Sequence, residues 1–265
     1  MDLDDHQSKN GKSPAIVARE ALSIAGEKLE TAFRLAEPKI SFKGRRDVVT
    51  DIDFAVEKSV KEFLLREFPD YGFLGEELGA VNFDSPFRWV LDPIDGTANF
   101  AKGIPNVATT LALTYLGEPI VGGTLDPLRD HLFFAEKDKG FTFNGKDVSF
   151  SPAEQFDRAT IGLDMGPNEE LVQETLEIAL GILPVHRIRI MGSAALGLAY
   201  VASGWFDLYM HLELKPWDVA AGLLFIKESK AELVCVGPEF ETANLETEKF
   251  LAGNKVLVNQ CKFWQ

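Results

Sequence analysis

From about residue 87 the chain runs through FRWVL, VATTLALTYL, PIVGGTLD and HLFFAE, apolar stretches rich in β-branched and aromatic residues and interrupted by Gly, Pro and Asp. Such a succession predicts a sheet of several strands. The texture then changes to alternation: ATIGLDM reads as strand, NEELVQETLEIAL as helix, HRIRI as strand, SAALGLAYVAS as helix, WFDLYMH as strand, PWDVAAGLLFIKE as helix and AELVCV as strand. Alternation of this kind predicts helices covering a sheet in a second, α/β half. Upstream, Ser13-Pro14 opens a helix in which Ile16, Val17, Ala21, Ile24, Ala25, Ala32 and Phe33 recur at helical spacing until Pro38. A second helix follows Thr50, with Ala55, Val56, Val60, Phe63 and Leu64 on its buried side before Pro69, and the basic loop FKGRRD lies between the two. With no repeat, low-complexity tract or obvious linker, the expectation is one compact body over residues 1–265, an N-terminal α+β half to about 150 and a C-terminal half from about 151.

Charge narrows the function classes. The chain carries 27 basic and 41 acidic side chains, a formal net charge of −14, which argues against broad contact with nucleic acid or anionic membrane. An anionic substrate would therefore need local cations. The acidic start MDLDDHQSKNGK shows no signal-peptide pattern and no apolar run is long enough to span a bilayer. Cys235 and Cys261 form no metal-type spacing and no disulfide framework, so the expected compartment is reducing and cytoplasmic. Trp89, Trp205 and Trp217 read as core residues.

The stretch WVLDPIDGTANF, residues 89–100, carries the chemistry. Pro93 favours an extended backbone at Asp92, which places its carboxylate at the end of FRWVL. Gly96 permits a sharp turn that leaves the amides of Gly96 and Thr97 to face an anion, and a helix starting near Thr97 would add to that pull. Two acids cannot bind phosphate themselves, but they can hold Mg²⁺, a hard ion that prefers oxygen ligands. Glu76 and Glu77 in GFLGEE and Asp218 in KPWDVAAG add further acids from distant segments. Carboxylates that bridge two or three cations are the arrangement that polarises a phosphate and makes a nucleophile of water. The reading is phosphate-ester hydrolysis.

GEE at 75–77, WVLDPIDGTANF at 89–100 and KPWDVAAG at 215–222 resemble the signature segments of the inositol monophosphatase family of metal-dependent, lithium-sensitive sugar phosphatases. DVVTDID at 47–53, GTLDPLRDHLFFAEKDKG at 123–140 and MGSAALGLAYVASGWFD at 191–207 extend the resemblance in the family's order over nearly the whole chain. It implies a layered α/β fold, the αβαβα sandwich shared with fructose-1,6-bisphosphatase, and a homodimer. It also implies that Glu76, Asp92, the carbonyl of Ile94, Asp95 and Asp218 hold two or three Mg²⁺ ions. Thr97 with Asp53 would orient and deprotonate the attacking water, assisted by Glu76. Asp95, Gly96, Thr97, Gly192, Ser193, Ala194, His211 and Asp218 would contact a small phosphorylated metabolite, and Lys43 matches a lysine near a third metal.

One position departs from the family. Its inositol-selective members carry Glu seven residues before the last metal-binding Asp, where this chain has His211, with Glu213 two positions on. Inositol phosphate, another polyol phosphate, fructose 1,6-bisphosphate and histidinol phosphate all suit the same metal core. Plainer roles exist for single residues: Asp218 as a first-turn acid, Ser193 as a helix cap, Arg45 and Arg46 as solvated loop charges. A glycosidase with paired acids and a non-catalytic binder of metal and phosphometabolite are the competing functions. No P-loop, GxSxG elbow or HExxH site is present.

Overall fold

The computed structural model describes residues 6–35, 40–42, 48–148, 153–166, 168–235, 244–247 and 249–261. Its elements are, in order, α1 (Pro14–Leu35), β1 (Ile40–Phe42), β2 (Val48–Thr50), α2 (Asp51–Glu67), β3 (Gly72–Gly75), β4 (Gly79–Val81) and β5 (Phe87–Asp95). There follow α3 (Thr97–Lys102), β6 (Ala108–Tyr115), β7 (Glu118–Asp126), β8 (His131–Glu136), β9 (Gly140–Phe143), β10 (Lys146–Asp147) and β11 (Thr160–Leu163). The chain ends through α4 (Glu169–Gly181), β12 (Arg187–Arg189), α5 (Ala194–Ala202), β13 (Leu208–His211), α6 (Pro216–Ser229), β14 (Glu232–Cys235), β15 (Phe250–Gly253) and α7 (Lys255–Gln260).

An eight-stranded sheet in the order β10-β9-β8-β7-β6-β5-β3-β4 and a five-stranded sheet in the order β12-β11-β13-β15-β14 form the frame, with β1 and β2 as a separate hairpin. In the large sheet every neighbouring pair is antiparallel except β3 and β5. Alternation along β5 and β6 sorts side chains to its two faces. Trp89, Leu91, Leu111 and Leu113 pack with α1 and α2, whereas Val90, Ala108 and Ala112 pack with α5 and α6. Helices α5 and α6 also meet Tyr209, Phe250 and Ala252 of the small sheet, so both sheets share one middle helical layer. The far face of the small sheet, with Ile161, Leu208, Met210 and Leu251, is covered by Leu171 and Ile178 of α4 and Leu257 and Val258 of α7. The layers run helix, sheet, helix, sheet, helix, as the resemblance implies.

The structure corrects several local readings. Strand β5 does not stop at Leu91 but continues to Asp95, with Asp92 opposite Thr110 and Asp95 opposite Ala108. The extra residue is a bulge, which is where a strand tolerates Pro93 without its amide. On α1, Ile16 is exposed, because the buried stripe passes through Val17, Ala18, Ala21, Leu22 and Ala25 instead. On α2, Ala55 faces outward and Phe63 is half-buried, while Asp53, Glu57 and Glu67 occupy the buried stripe with Val56, Val60 and Leu64. Trp89 is core, but Trp205 is 43% exposed and Trp217 is half-buried. Cys261 is buried, and burial pushes its thiol up to about 12. The side chain of Cys235, and Lys43, Arg45 and Arg46 of the basic loop, lie outside the described residues. No helix among the described residues is long and apolar enough to cross a membrane.

Because α2 rests on the sheet through Val56, Val60 and Leu64, truncating Leu64 removes packing that the surrounding rigid layers cannot refill. Leu64→Ala is expected to lower unfolding stability by about 2–5 kcal/mol, measured by urea denaturation; a change within experimental error would show that α2 is not anchored there.

Candidate active site

The bulge in β5 begins at Asp92, whose carboxylate is buried, and Ile94 N donates to Asp92 Oδ1 at 2.9 Å. Burial raises the Asp92 carboxyl well above the usual range, and Glu76, Asp95, Asp218 and Asp53 push it further in the same direction. Acids read from separate stretches of sequence thus act on one another here. Glu76 stands in the turn after β3, its amide donating to Leu91 O at 3.3 Å, next to Asp92. Asp218 is the third residue of α6, which starts with Pro216, and its Oδ2 accepts from Lys215 N at 2.7 Å. The first-turn capping role is therefore real, and the same carboxyl lies among the other acids. Burial is the main cause of its rise to about 8, with Lys215 opposing and Asp95 and Glu76 adding to it.

Asp95 is committed differently. Ser193 Oγ and Ala195 N donate to its Oδ2 and Ala194 N to its Oδ1, both amides at 3.1 Å. These are first-turn amides of α5, which have no partner within the helix, so Asp95 caps α5 from across the molecule. Burial raises its carboxyl to about 6 against the lowering effect of these donors. Ser193 is also the N-cap of α5, accepting from Leu196 N.

Thr97 begins α3 after Gly96, whose φ of +88° is the left-handed conformation that glycine adopts without strain. The Thr97 hydroxyl lies 2.8 Å from Ile94 O and 3.2 Å from Asp53 Oδ1, either of which can take its single proton. Asp53 is fully buried at the third position of α2, and its Oδ2 accepts from Thr50 N at 2.8 Å and Thr50 Oγ1 at 2.5 Å. Burial holds its carboxyl at about 6 despite these bonds. The Thr97–Asp53 pairing expected from the sequence is present.

A cavity of about 650 Å³ is lined by Glu76, Asp95, Ser193, His211, Trp217 and Asp218 among others, while Asp53, Asp92, Gly96 and Thr97 are not among its lining residues. The loop of Gly192, Ser193 and Ala194 does border it, but its amides are not free to meet a sugar. Asp164, buried at the end of β11, accepts from Met191 N at 2.8 Å and Gly192 N at 2.6 Å, with the Ser193 amide also acting on it, and Ala194 N is held by Asp95. His211 is buried at the end of β13, and its Nδ1 accepts from Glu213 N at 3.0 Å. Burial lowers it to about 4, so at neutral pH the ring is uncharged and carries its proton on Nε2.

Sequence reasoning missed Thr50, Glu57, Asn99, Asn106 and Asp164. Asn99 Nδ2 bonds Asn106 O, Met191 O and Gly192 O, and Asn106 Nδ2 bonds Met191 O, which ties α3 to the loop before α5. Asp164 follows an apolar run, IGL, as Asp92 follows WVL in the sequence, and Glu57 is one helical turn beyond Asp53. Those positional rhymes were available signals.

The donor set suits Mg²⁺. Its oxygens are hard ligands, and the acids acting on Asp92 supply no countercharge of their own. Among the described residues no three acid, His or Cys side chains are already gathered tightly enough to hold an ion as they stand.

The family model described as the inositol monophosphatase family matches residues 12–262. A fructose-1,6-bisphosphatase/inositol-1-monophosphatase of Aquifex aeolicus is 34% identical over 255 residues, covering 94% of each chain. An inositol-1-monophosphatase of Caulobacter vibrioides is 36% identical over 228 residues, covering 84% of this chain and 89% of the other. The crystal structure of the extragenic suppressor protein suhB from Bartonella henselae superposes with a TM-score of 0.89 at 30% identity, over 94% of this chain and 96% of that one. Sequence segments, layered fold and family match agree: the chain belongs to the inositol monophosphatase family of phosphoric monoester hydrolases.

Proposed function

We propose that this protein is a Mg²⁺-dependent phosphomonoesterase acting on a small polyol or sugar phosphate. The observation that carries the reading is the Asp92 carboxyl, raised by burial and by Glu76, Asp95, Asp218 and Asp53, with Glu76, Asp95 and Asp218 lining a cavity of about 650 Å³. Glu76, Asp92, the Ile94 carbonyl, Asp95 and Asp218 would hold the ions. When bound, Mg²⁺ supplies countercharge to the acids and Lewis-acid polarisation to a phosphate ester.

The chain's own residues supply the rest. With the Thr97 proton directed to Asp53 Oδ1, the Thr97 oxygen is left to accept from a water molecule. Asp53, at about 6, is ionised at neutral pH and receives the proton that Thr97 passes on. The water oxygen bonds to phosphorus as its proton passes through Thr97 to Asp53, the bond to the alcohol oxygen breaks, and that oxygen takes a proton from a second water, the resulting hydroxide being neutralised by the proton that Asp53 gives up. Gly96 and Thr97, at the start of α3, would hold phosphate oxygens with their amides. His211 offers an N–H rather than a carboxylate to the alcohol portion, which supports a substrate that places an acceptor oxygen there.

Phosphate release is to be measured from inositol 1-phosphate, fructose 1,6-bisphosphate, histidinol phosphate and a nucleoside monophosphate, each with Mg²⁺ and with excess chelator. Release from at least one polyol or sugar ester, abolished by chelator, is the expected result; no release from any of them with folded protein would favour a binding role. Thr97→Ala is expected to reduce kcat by roughly 10²–10⁴-fold with Mg²⁺ affinity retained by calorimetry. Unchanged kcat would remove Thr97 from the reaction.

Metal-free stability gives a further check. Asp218 titrates near 8 when folded against an ordinary 3.8, so between those values the folded state keeps a proton that the unfolded state has lost. The stability this group contributes is full below about pH 4 and is lost as pH rises to about 8. In chelator, the wild-type Tm should therefore fall from pH 5 to pH 8 more steeply than that of Asp218→Asn, whose amide oxygen still accepts from Lys215 N. Parallel curves would show that Asp218 is not the strained acid.

A further inference from the structure

Helix α2 carries a second buried carboxylate that none of the steps above uses. Glu57 is fully buried, one turn beyond Asp53 on the same face, and receives Glu77 N on Oε2 and Leu78 N on Oε1, both at 2.8 Å. The preceding amide, Glu76 N, donates to Leu91 O, immediately before Asp92. Three successive amides of one turn are thus fixed, one to the strand bearing Asp92 and two to the helix bearing Asp53. Gly75 fits this arrangement, since a Cβ there would fall on the Glu57 carboxylate. A two-oxygen acceptor is required, because the two amides arrive on different oxygens.

A solvated acidic turn needs no such clamp. The turn bearing Glu76 projects from the short strand β3 and leads into β4, a three-residue edge strand with no fully buried residue. Neither strand is long enough to hold the turn by itself. The Glu76 backbone is therefore set by β5 and α2 together, and its side chain starts from a place fixed relative to Asp92 and Asp53.

We propose that Glu57 is a positioning residue for the metal centre: without touching the ions, it holds the turn so that Glu76 reaches them. The inference rests on the metal-dependent reading above. Outer partners that orient a metal ligand commonly govern affinity by about 10–100-fold. A purely structural role would lower stability alone, and a purely electrostatic one would follow the charge at residue 57.

The experiment is calorimetric titration of Mg²⁺ into wild type, Glu57→Gln, Glu57→Asp and Val60→Ala, each at a temperature where circular dichroism shows it folded. Glu57→Gln presents an NH₂ group to one of the two amides, while Glu57→Asp keeps the charge but withdraws it by one methylene. Both are expected to weaken Mg²⁺ binding by at least about tenfold. Val60→Ala, which loosens the same helix at a core position, should lose thermal stability and keep its affinity. Unchanged affinity in folded Glu57→Gln overturns the inference, as does a loss in Glu57→Gln with full affinity in Glu57→Asp, which would assign the effect to charge. If Glu57→Gln fails to fold, the milder Glu57→Asp decides by the same criterion. A wild type that binds no Mg²⁺ overturns the metal-dependent reading and the inference with it, whereas a wild type that binds Mg²⁺ equally with the variants overturns the inference alone.

Discussion

Backbone amides held against buried carboxylates are the interaction on which this structure depends. Asp53 takes Thr50 N, Glu57 takes Glu77 N and Leu78 N, Asp92 takes Ile94 N, Asp95 takes Ala194 N and Ala195 N, Asp164 takes Met191 N and Gly192 N, and Asp218 takes Lys215 N. Hydrogen bonds to an ionised carboxylate contribute about 1.5–3 kcal/mol each, which partly offsets the cost of keeping acids away from water, and the raised carboxyls of Asp92 and Asp218 reduce the like charge that is gathered. The amides belong to helix starts, loop turns and, at Ile94, a strand bulge, so they cannot follow a side chain that swings away. Acids tethered in this way stay near one another, and each raises the carboxyls of its neighbours.

The main layers were legible in the sequence because their periodicities are strong and their ends are marked. Helix α1 starts at Pro14, α6 starts at Pro216, and the long strands β5 to β8 carry apolar runs between turn residues. What was not legible lies where tertiary contact decides the role of a residue. Glu57 looks like an ordinary surface acid on a helix, and only the arrival of two amides from a turn 20 residues later makes its burial tolerable. Trp205 looks like core, yet it lies at the edge of an aromatic group with His131, Phe143 and Tyr200 and keeps one side in solvent. The DPIDGT stretch announced its chemistry but not its shape, since a bulge depends on the register of the neighbouring strand.

The same contact that caps α5 also joins the two parts of the chain. Asp95 belongs to the large sheet, and the amides it accepts belong to the helix that lies between the sheets. Asn99 and Asn106 add bonds from the segment around α3 to Met191 and Gly192. A displacement of the loop before α5 would uncover Asp95, and a displacement of β5 would leave the first turn of α5 without acceptors. The position of the cavity between these segments follows from that mutual dependence.

A division of labour among the acids follows from their hydrogen bonds. A carboxylate offers about four lone-pair directions, and three of those on Asp95 already receive Ser193, Ala194 and Ala195. Asp92 receives one amide on its side chain, from Ile94. Asp95 accordingly braces α5 and keeps about one direction for a cation, whereas Asp92 keeps most of its oxygen directions open. Of the two acids in DPIDGT, the first therefore has the more oxygen directions open, and the second is the one that also holds the start of α5.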